Sequence, residues 1–153
     1  MRGPLQGQGA AAERILRALP GWFGIESALV EYAAAADELP TLVASAAGDA
    51  SGEAVGFVAL KPTSDCAQEL HVMGVLPAWR RRGIGRALVE RAVTYTRAAG
   101  GELLHVKTLA PSDPDPGYAA TRAFYEAMGF RPLEVLPEVW GPEDPCLLLV
   151  RPL

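Results

Sequence analysis

Cysteine is scarce in this chain of 153 residues, and its two cysteines, Cys66 and Cys146, lie far apart. Neither belongs to a C-x-x-C pair or to the Cys/His spacing of a metal or redox site. We therefore expect two inert thiols and no bound metal. A chain without a disulfide framework is typical of a reducing compartment, so the cytoplasm is the expected location.

Long apolar runs are also absent. No run reaches the roughly 18 to 20 residues that span a bilayer, and the first residues lack a secretory hydrophobic region. We expect no membrane partner. Half of the residues are hydrophobic and 21% are charged, which is ordinary globular composition. The length suits one domain over residues 11–153, preceded by a flexible tail over residues 1–10.

Positive charge is in the minority, since 14 Lys and Arg residues face 18 Asp and Glu residues, for a net charge of −4. Against this background, arginines cluster in the stretch WRRRGIGR, residues 79–86. Nucleic-acid-binding domains are usually basic as a whole, and no aromatic residues are interleaved with this basic run to stack on bases. We therefore expect no nucleic-acid partner. A solvated arginine face and a phosphate cradle stay open.

Hydrophobic periodicity predicts an α/β fold with a mixed sheet. Helices are predicted over residues 11–19, 26–36 and 119–129, with another from Ile84 to Gly100; strands are predicted over 41–47, 54–62, 68–75, 102–110, 130–140 and 146–153, with a hairpin turn over 48–53. The strands on either side of the Ile84 helix should run parallel, because a strand, loop, helix and strand in succession form a β-α-β unit.

The loop before the Ile84 helix has the features of an anion site. The first N–H groups of a helix have no helical partner and carry partial positive charge, and Gly83 and Gly85 let the backbone approach an anion closely. Two familiar phosphate motifs are excluded, because no Walker sequence is present and Ala87 and Leu88 stand where G-x-G-x-x-G requires glycine. Four arginines suit a ligand with several phosphates, and a pyrophosphate fits best.

The stretch Arg80 to Gly85 matches [RQ]-x-x-G-x-[GA], and the segments ELHVMGVLP, ELLHVKTLA and TRAFYEAMGF stand around it in the matching order. In these residues the chain resembles the GNAT superfamily of N-acetyltransferases. The resemblance implies a mostly antiparallel sheet with a parallel β-α-β cofactor unit, flanked by helices, and acetyl-CoA as cosubstrate. The implied cofactor-binding residues are Met73, Gly74, Val75, Arg80, Arg81, Arg82, Gly83, Ile84, Gly85 and Arg86.

The resemblance also suggests catalytic residues. Glu69 stands where strand-borne glutamates act as the base, often through an ordered water, and His71 on the same strand face is the rival base. Tyr125 matches the tyrosine that gives a proton to the leaving thiolate, since a phenol can donate without carrying charge. The family asparagine after the next strand is missing here, and Ser112 or Asp113 could replace it.

The acceptor is the least specified part of the prediction. Trp22, Phe23, His71 and Trp140 are candidate acceptor-contacting residues, and the acidic residues near the second helix favour a cationic, small-molecule primary amine. A protein N-terminus or lysine is the competing acceptor, and a non-catalytic acyl-CoA-binding module is the competing class. Small proteins of this type often pair through their C-terminal strands, so a homodimer is a further expectation.

Overall fold

A computed structural model describes residues 1–46 and 52–153. The elements in chain order are β1 (Arg2–Leu5), α1 (Gly9–Arg17), α2 (Glu26–Glu38), β2 (Thr41–Ser45), β3 (Ala54–Pro62), β4 (Ala67–Val75), a 3₁₀ turn (Pro77–Trp79), α3 (Ile84–Ala98), β5 (Leu103–Leu109), α4 (Pro116–Ala127), β6 (Arg131–Leu136) and β7 (Cys146–Pro152). The hydrogen-bonded strand order is β1-β2-β3-β4-β5-β7-β6. This confirms the predicted α/β class with a mixed sheet.

Strands β4 and β5 are parallel, as the β-α-β reading requires, with Ala67 opposite Leu103 and Glu69 opposite His105. The pairs β1/β2, β2/β3, β5/β7 and β6/β7 are antiparallel. Contacts divide the chain into two compact units, and β4 contributes to both: the first comprises Met1–Lys61 and His71–Tyr95, the second Pro62–Leu70 and Thr96–Leu153. The single-domain organisation stays a prediction.

The first unit has its core between α1, α2 and β3. Seven successive residues of β3, Ala54 to Leu60, are buried, which is expected of a strand covered on both faces. From α1, Ile15 and Leu16 are fully buried. The N–H of Gly9 donates to Asp37 Oδ1 at 2.7 Å, so a side chain of α2 satisfies one of the free donors at the start of α1.

The second unit carries β5, α4, β7 and β6. Asp115 caps α4, because its side chain accepts hydrogen bonds from the N–H groups of Gly117 and Tyr118, and Pro116 occupies the first helical position. The helix ends at Ala127, Gly129 two residues later has a φ of +90°, and Phe130 beyond it is fully buried. A left-handed glycine followed by an apolar contact is a common helix ending.

Two predictions need comment. Residues 2–5 form β1 and pair with β2, with Arg2 opposite Val43, so the expectation of a flexible tail is wrong for this stretch; backbone pairing with β2 orders it. The hairpin turn predicted over residues 48–53 lies largely outside the described residues.

Across the described ranges, no helix has the length and apolar character needed to cross a membrane.

Candidate active site

The arginine–glycine loop of the first unit forms a short cradle, which we call the arginine cradle, residues 80–86. It follows the 3₁₀ turn, and α3 begins inside it at Ile84. Arg81 has φ of +59° and Gly83 has φ of +78°. The first backbone hydrogen bond of α3 runs from the N–H of Ala87 to the carbonyl of Gly83 at 2.9 Å. Within the described residues, the amides of 81–86 donate to no other backbone carbonyl.

Gly83 shows that the cradle has room for a ligand. A Cβ placed on Gly83 would meet no atom within 4 Å, so the space in front of its backbone is open. Arg80, Arg81, Arg82 and Arg86 are exposed around it. Free amides at a helix start combined with exposed guanidinium groups are the chemistry that binds phosphate oxygens.

Contacts with β3 fix the position of the arginine cradle. The N–H of Leu76 donates to the carbonyl of Val55 at 2.8 Å, which ties the segment after β4 to β3. A Cβ on Gly56 would lie 3.0 Å from Ile84 Cγ2, so the absence of a side chain on β3 leaves the space that the first residue of α3 fills. The backbone of the cradle is therefore positioned before any ligand arrives.

Two tryptophans hold two of the arginines. The guanidinium carbon of Arg80 lies 4.5 Å from the ring centroid of Trp22, and that of Arg82 lies 4.8 Å from the ring centroid of Trp79. Both separations are within the range of a cation–π contact. Trp22, predicted to contact the acceptor, thus contacts the cofactor loop.

The segment Met73 to Val75 ends β4, which runs without a break from Ala67 to Val75. Gly74 has a packing reason that the sequence did not reveal: a Cβ there would lie 3.1 Å from Ile15 Cγ2 and 3.1 Å from Leu19 Cδ1. Close approach of α1 therefore accounts for this glycine. Contact of these three residues with a cofactor stays a prediction.

A row of aromatic rings lies in the first unit, and we call it the aromatic row: Phe23, Tyr32 and His71. Phe23 and Tyr32 meet edge to face with centroids 5.9 Å apart, and Tyr32 and His71 do so at 5.6 Å. All three rings are partly exposed. The structure thus brings two predicted acceptor residues together through Tyr32, on α2.

Glu69, the predicted base, lies in the second unit beside Lys107. Its side chain is 7% exposed, and its Oε2 is 2.5 Å from Lys107 Nζ. The same oxygen lies 3.9 Å from Nδ1 of His105, whose Nε2 is 2.7 Å from the hydroxyl of Thr63. Burial lowers the pKa of His105, which favours the neutral imidazole, although the nearby Glu69 charge opposes this shift.

Tyr125, the predicted acid, is buried on α4 in the same unit. Its ring lies 5.4 Å from that of Phe124 and 5.7 Å from that of Phe130, measured between centroids. Burial raises the pKa of Tyr125 to about 12. A phenol is protonated at neutral pH at either value, so the shift keeps Tyr125 uncharged up to a higher pH and makes it a weaker acid.

Other residues have structural partners. Asp113 Oδ1 accepts from the N–H of Asp115 at 2.9 Å, so this carboxylate orders the loop before α4. Arg122, on α4, donates to the carbonyls of Leu109 and Ala110 at 2.8 and 3.3 Å. Trp140 is 39% exposed in the second unit, whereas the aromatic row belongs to the first.

Sequence reasoning missed Lys107 and Thr63. Glu69 and His105 are opposite one another in the parallel register, and Lys107 follows His105 by two residues, on the same strand face. A charged residue inside the otherwise apolar strand LLHVKTL was the available signal. The partner of Lys107 could not be identified without the register of β4 and β5.

The acetyltransferase (GNAT) domain family matches residues 38–132. A mycothiol acetyltransferase of Beutenbergia cavernae is 32% identical over 96 residues, which is 63% of this chain and 30% of that protein, so the chain spans about a third of the relative's length.

Two solved structures share the fold. A GNAT-family protein from Desulfovibrio desulfuricans superposes with a TM-score of 0.81 at 22% identity, over 99% of this chain and 96% of that one. An aminoglycoside 6′-N-acetyltransferase with coenzyme A superposes at 0.71 and 20% identity, over 94% and 89% of the two chains. The family match confirms the GNAT family that the sequence predicts, and the solved structures confirm its fold. The chain belongs to the GNAT acetyltransferase family.

Proposed function

We propose that this chain is an acetyl-CoA-dependent N-acetyltransferase that acts on a primary amine of a small molecule, by direct attack with both substrates bound. The observation that carries the proposal is the arginine cradle, with its open space at Gly83 and its free amides. The residues that would hold the diphosphate of CoA are Arg80, Arg81, Arg82, Gly83, Ile84, Gly85 and Arg86, and Met73, Gly74 and Val75 are assigned to the pantetheine arm.

Bound acetyl-CoA supplies the thioester whose carbonyl the amine attacks. The C–N bond forms as the C–S bond breaks, so the amine must lose a proton and the thiolate must gain one. A primary amine has a pKa of about 10, so only about one molecule in a thousand is neutral at pH 7. A group that removes its proton is therefore required.

Glu69 is assigned as the group that receives the amine proton, directly or through a water. Its burial supports this role, since a carboxylate must be shielded from solvent to act near neutral pH. His71 stays the rival, and its edge contact with Tyr32 places it in the aromatic row. Tyr125 is assigned as the donor to the leaving thiolate, because a phenol is protonated at neutral pH and can donate a hydrogen bond without carrying charge.

The aromatic row is assigned to the acceptor, which favours an amine with an apolar or cationic body. The acidic residues of α2 give less support than the sequence suggests. The carboxylate of Glu26 binds Arg17 at 2.7 Å, and that contact lowers the pKa of Glu26. Asp37 accepts from Gly9. Glu31 and Glu38 are the exposed carboxylates of this helix that lie outside these contacts.

The decisive test is release of CoA thiol from acetyl-CoA against a panel of polyamines, aminoglycosides, amino acids and peptides. The proposal expects turnover with a small amine, and Tyr125→Phe should lower it by about 10²-fold or more. Turnover with peptides alone would assign a protein N-terminus or lysine as acceptor. CoA binding without turnover on the panel would favour a silent binding module.

A matched binding measurement checks the cradle. Arg82→Glu and Gly83→Asp should each abolish CoA binding, whereas Arg97→Glu at the end of α3 retains it, because that arginine lies outside the cradle. Unchanged affinity in both cradle variants would contradict the assignment.

A reducing cytoplasm is the proposed compartment, and the two free thiols support it.

A further inference from the structure

The loop between α1 and α2 reaches the arginine cradle through one contact, the stacking of Arg80 over Trp22. This loop is held at its base, because the N–H groups of Trp22 and Phe23 both donate to the carbonyl of Leu19, at 3.1 and 3.0 Å. Trp22 also packs against the buried core of the first unit. Its indole is therefore a fixed surface, against which the exposed Arg80 side chain lies.

Stacking suits an arginine that must bind an anion. The N–H donors of a guanidinium lie in its plane, so a contact through its face leaves all of them free for phosphate oxygens. An ion pair with a carboxylate would instead occupy those donors. In the cradle the contact also opposes the mutual repulsion of four neighbouring arginines, which would otherwise drive the Arg80 side chain away.

We infer that Trp22 is a positioning residue for the cofactor, which holds the Arg80 guanidinium at the cradle with its donors free for the diphosphate. This inference rests on the proposed function. Trp79 and Arg82 repeat the arrangement within the cradle segment itself, whereas Trp22 comes from a separate part of the chain. The next residue, Phe23, begins the aromatic row, so one loop carries both the cofactor contact and the acceptor surface.

A double-mutant cycle on CoA affinity, measured by calorimetry without acceptor, tests the inference. An exposed cation–π contact corresponds to about a two- to fivefold change in affinity, so Trp22→Leu should weaken CoA binding by that factor. Trp22→Tyr, which keeps an aromatic face, should recover most of the loss. If Trp22 acts through Arg80, the double variant Trp22→Leu/Arg80→Met binds CoA no more weakly than Arg80→Met alone.

Salt dependence separates positioning from a general structural effect. Arg80→Met removes a charge and should reduce the slope of log affinity against log salt. Trp22→Leu should reduce this slope in the same direction by a smaller amount, because the Arg80 charge is kept but is no longer held at the diphosphate, whereas a general structural effect would weaken binding without changing the slope. Additive losses in the double variant, or failure of Trp22→Tyr to recover affinity, would overturn the role of Trp22. Absence of CoA binding in the unmodified protein would instead overturn the proposed function.

Discussion

Burial of Tyr125 makes a quantitative prediction about stability at high pH. Burial raises the pKa of its phenol from 10.0 to about 12. Below pH 10 the phenol is protonated in both the folded and the unfolded chain, so it contributes no pH dependence. Between these two values the unfolded chain ionises first, so folding stability is lost as the pH rises towards the folded value.

The size of the loss follows from the two values. A shift of two pKa units corresponds to about 2.7 kcal/mol once the pH exceeds both values. At pH 11 the unfolded phenol is about nine-tenths ionised and the folded phenol about one-tenth, which gives a loss of about 1.4 kcal/mol relative to pH 8. Tyr125→Phe removes the phenol and should abolish this part of the pH dependence.

Urea denaturation at pH 8 and pH 11 measures the effect as a difference between proteins, which cancels the titration of every other group. Tyr125→Phe keeps the ring contacts with Phe124 and Phe130, so the variant should unfold at nearly the same urea concentration at pH 8. At pH 11 it should be more stable than the unmodified chain. Tyr95→Phe, which retains Tyr125, is the control. Equal losses in all three proteins would refute the burial of the phenol.

Three further predictions concern the cradle, the buried ion pair and the edge of the sheet. Gly83→Ala and Gly100→Ala both place a Cβ in open space at positive φ, +78° and +83°, so each should lower the free energy of unfolding by about 1–2 kcal/mol. Only Gly83→Ala should weaken CoA binding. Equal CoA affinities of the two variants would contradict the role of the arginine cradle. Lys107→Met should destabilise the fold by about 1–3 kcal/mol, because it leaves the buried Glu69 carboxylate without its ion pair to Lys107. Adding Glu69→Gln should restore part of this loss. Purely additive losses in the double variant would argue against the ion pair. Leu133 is 63% exposed on β6, which is the last strand of the sheet order. If two copies of the chain pair through β6, Leu133→Glu should lower the molecular mass measured by light scattering. A dimer that is unchanged by Leu133→Glu would exclude pairing through β6.

The sequence predicts the elements whose patterns are local and long. The buried strand β3 was predicted over 54–62 and lies at Ala54–Pro62, and the predicted parallel relation of the strands flanking α3 is confirmed. Strand β1 was missed because RGPL has four residues, no alternation and a Gly-Pro pair. Strand β1 is ordered by backbone pairing with β2, and this pairing requires no recognisable side-chain pattern in β1.

The same distinction separates the two parts of the candidate site. The arginine cradle consists of seven successive residues, so its composition and its place before a helix could be predicted together. The cluster of Glu69, His105 and Lys107 depends on strand register, because residues 38 positions apart meet only when Glu69 lies opposite His105. Periodicity assigns side chains to strand faces, but it does not fix how two parallel strands are aligned.

Lys107 also changes what Glu69 can do in the proposed reaction. A carboxylate that neutralises a lysine 2.5 Å away loses that attraction when it takes up a proton, and the partly exposed ammonium of Lys107 would then lack this counter-charge. Glu69 is therefore better suited to orient the amine or a water and to pass a proton on than to keep it. Direct transfer to His105 is disfavoured, because its Nδ1 atom lies 3.9 Å from the same carboxylate oxygen, beyond hydrogen-bond distance, and burial lowers the pKa of that ring. In the proposed reaction, Glu69 would thus be the member of the Glu69, Lys107 and His105 cluster that handles the amine proton.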